Sequence, residues 1–340
     1  MTATVPTTAP RTGPGGAPDA TGRTGWGTAR AVLRVHRTAL VVWGVLVAAA
    51  AGGLVWLTEV TGPEVRARQE ACDRAARDWC DMNVGLFGYD GPLDLIGLLT
   101  AGAFVAVAAF AGGALIGREL DSGTARLAWT QGITPTRWLA AKLAVPALAV
   151  TLGLTVEVLV FRWAWSAGRP LTYADWWSGQ AFTARGPVTV AYALCALAVG
   201  ALTGLLLRRA LPALGVSVAA VLGLALLLAR YRASLWPAVT LTSPTDVPSA
   251  PEGSWDVESG VLVHGRQTPD LDLGPCDRTG TSPARCLDDL GVTGSYTRFH
   301  PESHFWPLQC VETGIMLGVA VLATAAAFLL LRRRTATTGG

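Results

Sequence analysis

Two histidines that flank a carboxylate are the first residues in this sequence to consider for chemistry. His300 and His304 are four residues apart, and Glu302 lies between them. On a helix this spacing would place two imidazoles on one face, as in a helix-borne zinc site. Pro301 follows His300 directly, however, and disfavours the helical conformation that such a pair requires. His264 is distant and no third ligand or general base is evident, so we expect an interfacial turn and no metal.

Three carboxylates next to or within long apolar runs are the next candidates, because ionisable groups inside a membrane are costly and usually functional. They are Asp94, Glu157 and Glu312. Asp94 and Glu312 begin their runs, and Glu157 lies about 27 Å along its helix from Leu139 at 1.5 Å per residue. All three are therefore expected near the outer membrane boundary. We keep Glu157 as a candidate contact of a transport pathway, with pairing or solvation at the outer edge as the alternative.

ATP chemistry by this chain would need a P-loop, in which glycines and a Gly-Lys-Ser/Thr sequence bind phosphate. Lys142 is the only lysine in the chain, and it lies between Ala141 and Leu143 at the mouth of an apolar run. The sequence therefore contains no Walker A motif. We therefore predict no ATP hydrolysis by this chain, no cofactor and no enzymatic activity.

The composition requires a lipid solvent. The 340 residues are 51% hydrophobic and 15% charged, which is too much apolar material for one soluble core. Six stretches are long enough to cross the ~30 Å hydrocarbon layer, which takes about 20 apolar residues in a helix. These stretches are Ala39–Thr58, Leu95–Gly117, Leu139–Val160, Val188–Leu207, Leu211–Ala229 and Val311–Leu331. The sequence thus predicts an all-α, polytopic membrane protein with six transmembrane helices and a large extracytoplasmic loop between the fifth and sixth.

Basic residues indicate which side of the membrane is cytoplasmic. Dense clusters abut helix ends on one side only: Arg30, Arg34 and Arg37, then Arg208 and Arg209, then Arg332–Arg334. By the positive-inside rule we expect both termini in the cytoplasm of a multi-pass plasma-membrane protein. The net charge of +3 is small and the basic residues are scattered without interleaved aromatics, which argues against a nucleic-acid partner.

The chain divides into five segments on this topology. Residues 1–24 are predicted to be a disordered cytoplasmic tail. Residues 25–38 are expected to form an amphipathic juxtamembrane helix on the inner leaflet, or else a plain basic anchor. Residues 39–229 hold the first five helices and an inner loop at 118–138. Residues 230–310 form the outer loop or cap, and residues 311–340 form the sixth helix and a basic tail.

Four cysteines fall outside the membrane on this topology, where disulfides persist. They are Cys72, Cys80, Cys276 and Cys286, in two close-spaced pairs. Pairing 72–80 and 276–286 is the simplest of the three connectivities that four cysteines allow. Free apolar thiols are the alternative.

The inner loop has the most informative local sequence. Arg118 to Lys142 reads RELDSGTARLAWTQGITPTRWLAAK. Charged and small residues alternate with apolar ones, and Gly132 to Pro135 supplies a turn. The pattern predicts a short helix, a turn and re-entry into the membrane, and a solvated connecting loop is the alternative.

This loop resembles that of the permeases of the ABC-2 type exporter family, especially their actinobacterial branch. The family pattern has an acidic residue, Gly-Thr, an apolar-Trp-Thr run and Arg-Trp entering the next helix. The matching positions are Glu119, Gly123, Thr124, Leu127, Trp129, Thr130, Arg137, Trp138 and Lys142. His300 to Ile315, HPESHFWPLQCVETGI, is similar to the segment that precedes the last span of that branch.

The resemblance implies a membrane-spanning exporter subunit that works with a cytoplasmic ABC ATP-binding subunit and a second permease subunit in the lipid bilayer. Glu119–Trp129 would be the coupling helix that docks on the ATPase. Its coupling residues would be Glu119, Gly123, Thr124, Leu127, Trp129 and Arg137. The alternatives are an ion-coupled secondary transporter, or a membrane-embedded hydrolase or transferase. The transported substrate does not follow from apolar spans.

Overall fold

Six membrane-crossing helices form the body of the protein. The computed structural model describes residues 34, 36–74, 86–172, 174–244, 246–269, 271 and 283–336. Within these ranges, six helices are long and apolar enough to cross a membrane. In chain order the spans are Arg37–Cys72, Gly88–Asp121, Pro135–Ala167, Val188–Leu207, Ala210–Ser234 and Glu302–Thr335. The six predicted spans are confirmed, and five of them extend beyond their predicted bounds. The predicted tail 1–24 and nearly all of 25–38 lie outside the described residues.

Eleven α-helices make up these spans and their connections within the described residues. They are α1 (Arg37–Trp56), α2 (Gly62–Arg74), α3 (Gly91–Ala109), α4 (Arg118–Asp121), α5 (Thr124–Thr130), α6 (Pro135–Ala167), α7 (Gly179–Ala184), α8 (Val188–Leu207), α9 (Ala210–Tyr231), α10 (Pro283–Asp289) and α11 (Phe305–Ala336). Wider π-helical turns at Leu57–Thr61 and Phe110–Gly117 join α1 to α2 and α3 to α4. The first two spans are therefore continuous through these turns.

The fourth span is the centre of the bundle. In the most apolar 18-residue stretch of this span, 67% of the residues are buried. The corresponding share for the first span, which lies at the periphery, is 11%. Glycines let it approach the second span closely: a Cβ placed on Gly200 would lie 2.6 Å from the Cβ of Ala111, and one on Gly204 would lie 2.9 Å from the Cβ of Ile116. This small-residue spacing serves packing within the chain.

The segment between the fifth and sixth spans corrects the all-α prediction. It holds a four-stranded antiparallel sheet in the order β1-β4-β2-β3. The strands are β1 (Val239–Ser243), β2 (Trp255–Val263), β3 (Arg266–Thr268) and β4 (Val292–His300). His264 and Gly265 join β2 to β3 with φ of 50° and 77°, as in a tight type I′ hairpin. The predicted loop bounds 230–310 were too wide, because both flanking helices extend into them.

Aromatic side chains fix the sheet to the helices. The Trp176 indole donates a hydrogen bond to the Gly253 carbonyl at 2.8 Å. Trp177 stacks on Trp255 with ring centroids 6.4 Å apart, and Phe305 meets Trp176 edge-on at 6.2 Å. We call this end of the bundle the cap end, and the opposite end, which carries α5, the loop end.

Cys72 and Cys286 are disulfide-bonded. Their predicted partners, Cys80 and Cys276, lie outside the described residues, so the pairing 72–80 and 276–286 stays a prediction. Among the described cysteines, Cys195 is free and buried and Cys310 is free and exposed.

Candidate functional site at the loop end

The loop between the second and third spans is built around a left-handed glycine. The second span ends with α4 at Asp121, and Gly123 has φ +76° before α5 begins. No atom lies within 4 Å of a Cβ placed on Gly123, so its backbone conformation, and not lack of space, favours glycine here. A left-handed residue cannot continue an α-helix. The predicted single helix Glu119–Trp129 is therefore wrong in its bounds, because Glu119 belongs to the second span.

The chain re-enters the membrane through a capped turn. Gly132 has φ +90°, and the Thr134 hydroxyl accepts a hydrogen bond from the backbone N–H of Arg137 at 3.4 Å. Pro135 occupies the first turn of α6, where its missing N–H costs nothing. The turn predicted at Gly132–Pro135 is confirmed.

The Glu119 carboxylate connects the second span to the third. One of its oxygens forms an ion pair with Lys142 Nζ, and the other accepts a hydrogen bond from Trp138 Nε1 at 3.3 Å. Lys142 is only 4% exposed and the Glu119 side chain 20%, so this pair is a largely buried link between two helices.

His36, directly before the first span, completes this cluster. Its Nε2 lies 2.9 Å from Lys142 Nζ. Burial and the Lys142 charge lower the pKa of His36 from its ordinary value, with an opposing effect from Glu119. The imidazole is therefore neutral at pH 7 and accepts a hydrogen bond from the ammonium group. The beginnings and ends of three spans meet at this cluster.

Helix α5 has a packed inner side and an exposed outer side. Ala125 is buried, and Trp129 meets Trp138 edge-on with ring centroids 5.8 Å apart. Leu127 points the other way and is 61% exposed, although it lies between the two spans and not within either. The loop therefore exposes the large apolar side chain of Leu127 on a short helix whose opposite side packs against the third span.

The structure divides the six predicted coupling residues between these two sides. Thr124, Leu127 and Arg137 are exposed, whereas Glu119 and Trp129 are turned inward and only partly exposed. Gly123 forms the bend between them. The sequence reasoning placed five of them, Glu119 to Trp129, on one docking helix, and this was an error because the Gly123 bend divides that segment.

The three membrane carboxylates differ in their surroundings. Glu157 is 3% exposed, and neither of its oxygens has a hydrogen-bond partner among the described residues. Glu312 is fully buried, about 15 Å along the sixth span from its first residue at 1.5 Å per residue, next to the end of the fifth span near the cap end. Arg232 binds it. Sequence reasoning missed this arginine because it lies three residues after the predicted fifth span, within the predicted loop 230–310.

The histidine pair at the cap end is occupied by hydrogen bonds. His300 is the last residue of β4, as the following proline predicts. Its Nδ1 lies 2.9 Å from His304 Nδ1, and its Nε2 lies 3.0 Å from the Ala233 carbonyl oxygen. In the described part of the chain, no group of three metal-ligating side chains comes together.

Comparison with known proteins identifies one relationship. A family model described as "ABC-2 membrane transporter related" matches residues 37–232. This range includes the first four spans, all but the last two residues of the fifth, and the whole loop described above. No curated protein and no solved structure matches the chain.

Proposed function

The chain belongs to the ABC-2 membrane transporter related family, and from this premise we propose that it is the permease subunit of an exporter powered by a separate ABC ATPase. Family membership and six apolar helices make it a multi-pass membrane subunit of an ABC-2 transporter. Export, the ATPase partner and a second permease subunit are the proposed elements.

The proposed orientation places the loop end in the cytoplasm of the plasma membrane. Arg208, Arg209 and Arg332–Arg334 all lie at this end, as the positive-inside rule requires of cytoplasmic helix ends. Both termini are then cytoplasmic, and the sheet is extracytoplasmic, where the disulfide-bonded Cys72 and Cys286 are favoured.

The observation that carries the proposal is the exposed Leu127 on a short helix whose other side packs against the third span. An apolar side chain that projects from a short helix outside the membrane fits a hydrophobic groove on a partner protein. Thr124 on the same helix and Arg137 in the first turn of α6 are also exposed and would supply polar contacts to the partner. ABC-2 permeases typically work with an ATP-binding subunit, and we therefore propose an ABC ATPase as the partner.

The inner side of the loop supplies a route for mechanical coupling. The Glu119–Lys142 ion pair and the Glu119–Trp138 hydrogen bond join the second span to the third. A displacement of α5 by the ATPase therefore moves both spans together. The sequence lacks a Walker A motif, so ATP binding and hydrolysis belong to the partner.

Co-purification tests the proposal. The tagged chain is co-expressed with the soluble ABC ATPases of the same genome, as wild type, Leu127→Asp or Val247→Asp. Val247 is a matched control, since it is also 61% exposed but lies between β1 and β2 at the cap end. We expect Leu127→Asp alone to lose the ATPase. Retention by Leu127→Asp, or equal loss from both variants, would contradict the docking role.

A second candidate function, ion-coupled transport, rests on Glu157. A carboxylate that is buried in a span without a hydrogen-bond partner is typical of proton sites, and we retain Glu157 as a candidate pathway residue. Vesicles that contain only this chain and an internal pH dye test the idea. Proton entry with wild type but not with Glu157→Gln would support it, and equal rates would assign Glu157 a structural role.

A further inference from the structure

A cavity of about 390 Å³ lies at the loop end. Its walls come from the loop and from the ends of α8 and α11. Leu205, Leu330 and Leu331 supply an apolar side, and Arg208 and Arg334 supply a cationic side. Such a combination of leucines and guanidinium groups suits an amphiphilic anion.

Arg208 occupies a backbone position that favours glycine. Its φ is +56°, in the left-handed conformation that ends α8 before the tight turn into α9. Glycine adopts this conformation freely, whereas a residue with a Cβ is strained there. Its side chain has no hydrogen bond or ion pair to another described residue. Strained residues cluster at functional sites, and this side chain lines the cavity.

Arg334 faces the same cavity from the sixth span. It donates a hydrogen bond to the Leu205 carbonyl, and its charge lies close enough to Arg208 for the two to repel each other. The Glu119 carboxylate also lines the cavity but is already engaged by Lys142. The two guanidinium groups therefore favour an anion between them.

We propose that this cavity binds an anionic phospholipid from the leaflet at the loop end. Its phosphate lies between Arg208 and Arg334, since guanidinium groups bind phosphate oxygens in a bidentate manner. Its glycerol and first acyl carbons lie along the three leucines. The cavity is at the ends of two spans, where headgroups are found, and the cytoplasmic leaflet is the anionic one. A free phosphate would share the arginines but leave the leucines uncovered.

The site goes beyond the proposed function, because lipid binding needs no ATPase. Gly123, Ala125 and Trp129 of the loop also line the cavity, so a bound lipid packs against the inner side of α5. The lipid would hold α5 in place for docking.

The experiment uses the full chain purified in detergent without ATPase. Native mass spectrometry counts retained lipids, and tryptophan fluorescence follows thermal unfolding, each with dioleoyl phosphatidylglycerol, dioleoyl phosphatidylcholine or inorganic phosphate. We expect phosphatidylglycerol alone to stabilise the wild type and to remain bound. Equal effects of the two lipids would overturn the proposal, and stabilisation by inorganic phosphate to the same extent would replace the lipid by a free anion.

Neighbouring arginines provide a matched comparison. Arg208→Gln and Arg209→Gln remove the same charge from adjacent residues, but only Arg208 lines the cavity. We expect phosphatidylglycerol affinity to fall on the order of tenfold in Arg208→Gln, as for loss of one hydrogen bond to a charged group, and to change little in Arg209→Gln. Equal losses would indicate general surface attraction and overturn the site.

A second variant separates folding from binding. Arg208→Gly relieves the left-handed strain, so it should unfold at the same temperature as the wild type or higher without lipid, yet lose the stabilisation by phosphatidylglycerol. If it keeps that stabilisation, the side chain is not a lipid ligand. If Arg208→Gln loses the ATPase on co-expression but keeps its lipid affinity, the cavity receives an acidic side chain of the partner, which would overturn the lipid assignment and leave the proposed function standing.

Discussion

Arg232 binds both carboxylate oxygens of Glu312 inside the helix bundle. Its Nε lies 2.8 Å from Oε2 and its Nη2 lies 3.1 Å from Oε1. Tyr192 donates a hydrogen bond to Oε1 at 2.6 Å, and the Phe182 ring lies 4.1 Å below the guanidinium group. This cluster connects the fourth, fifth and sixth spans near the cap end.

Breaking this pair should be costly, whereas replacing both partners should not be. Glu312→Ala leaves a buried cation without its partner, for which we expect a loss of about 3–5 kcal/mol in the free energy of unfolding. The double variant Arg232→Met with Glu312→Met removes both charges and should recover most of that loss. Denaturant unfolding in detergent micelles measures each value. A single-variant loss below about 1 kcal/mol would contradict the buried geometry.

The Glu119–Lys142 pair should limit the local opening of α5. Without it, α5 keeps its Trp129–Trp138 contact, the buried Ala125 and the hydrogen bond from Thr124 to the Glu119 carbonyl, but it loses the ion pair that fixes the helix end before it. We therefore expect Glu119→Gln to raise the hydrogen-exchange rates of the α5 amides on the order of tenfold. Asp121→Asn is the control, since Asp121 is an exposed carboxylate two residues away. Hydrogen-exchange mass spectrometry measures both. Unchanged exchange in Glu119→Gln would mean that the pair transmits no force.

The spans could be predicted because each contains about 20 apolar residues in sequence, a local property. The Arg232–Glu312 pair could not, because its members are 80 residues apart and each borders a polar segment. The same holds for the sheet, in which the outer strand β1 pairs with β4 across more than 50 residues.

At the loop, the sequence resemblance identified the segment, but it did not distinguish the exposed side chains, such as Leu127, from those turned inward, such as Glu119. Gly123 could have been recognised as a helix end, since glycine commonly takes the left-handed position there. The inward turn of Glu119 depends on Lys142 and Trp138, which belong to another helix. The pattern of one helix cannot reveal such a contact.

Acidification should loosen the cap. Burial lowers the pKa of His300, with smaller contributions from His304 and Arg298 in the same direction and an opposing one from the Ala233 carbonyl. A histidine with a lowered folded-state pKa stabilises the fold fully above its unfolded pKa of about 6.5. That stability is lost as the pH falls below this value toward the folded pKa.

Tryptophan fluorescence measures this effect, because the Trp255 ring lies 5.4 Å from the His300 ring. We expect the unfolding temperature to fall between pH 7.5 and pH 5, and His300→Gln to reduce that fall. His264→Asn is the control, since asparagine tolerates the left-handed backbone of the β2–β3 turn. A pH response that is equal in both variants would assign it to other groups.

Glu157 should destabilise the bundle. Its buried oxygens lack hydrogen-bond partners among the described residues, so an apolar side chain of similar volume removes a desolvation cost. We expect Glu157→Met to raise the free energy of unfolding by about 1–3 kcal/mol. Glu302→Gln is the control, because that side chain is 57% exposed. A loss of stability in Glu157→Met would reveal a polar partner in the folded protein.

Cross-linking at the tip of α5 tests the central claim most directly. In a Cys310→Ser background, which removes the exposed free thiol found among the described cysteines, Leu127→Cys and Val247→Cys are each labelled with a short maleimide–benzophenone reagent in membranes that contain the co-expressed ATPase. Its photoreactive end requires no thiol on the ATPase. The account predicts a cross-linked permease–ATPase species from Leu127→Cys and none from Val247→Cys. No cross-link at Leu127→Cys, or equal cross-linking at both positions, would contradict it.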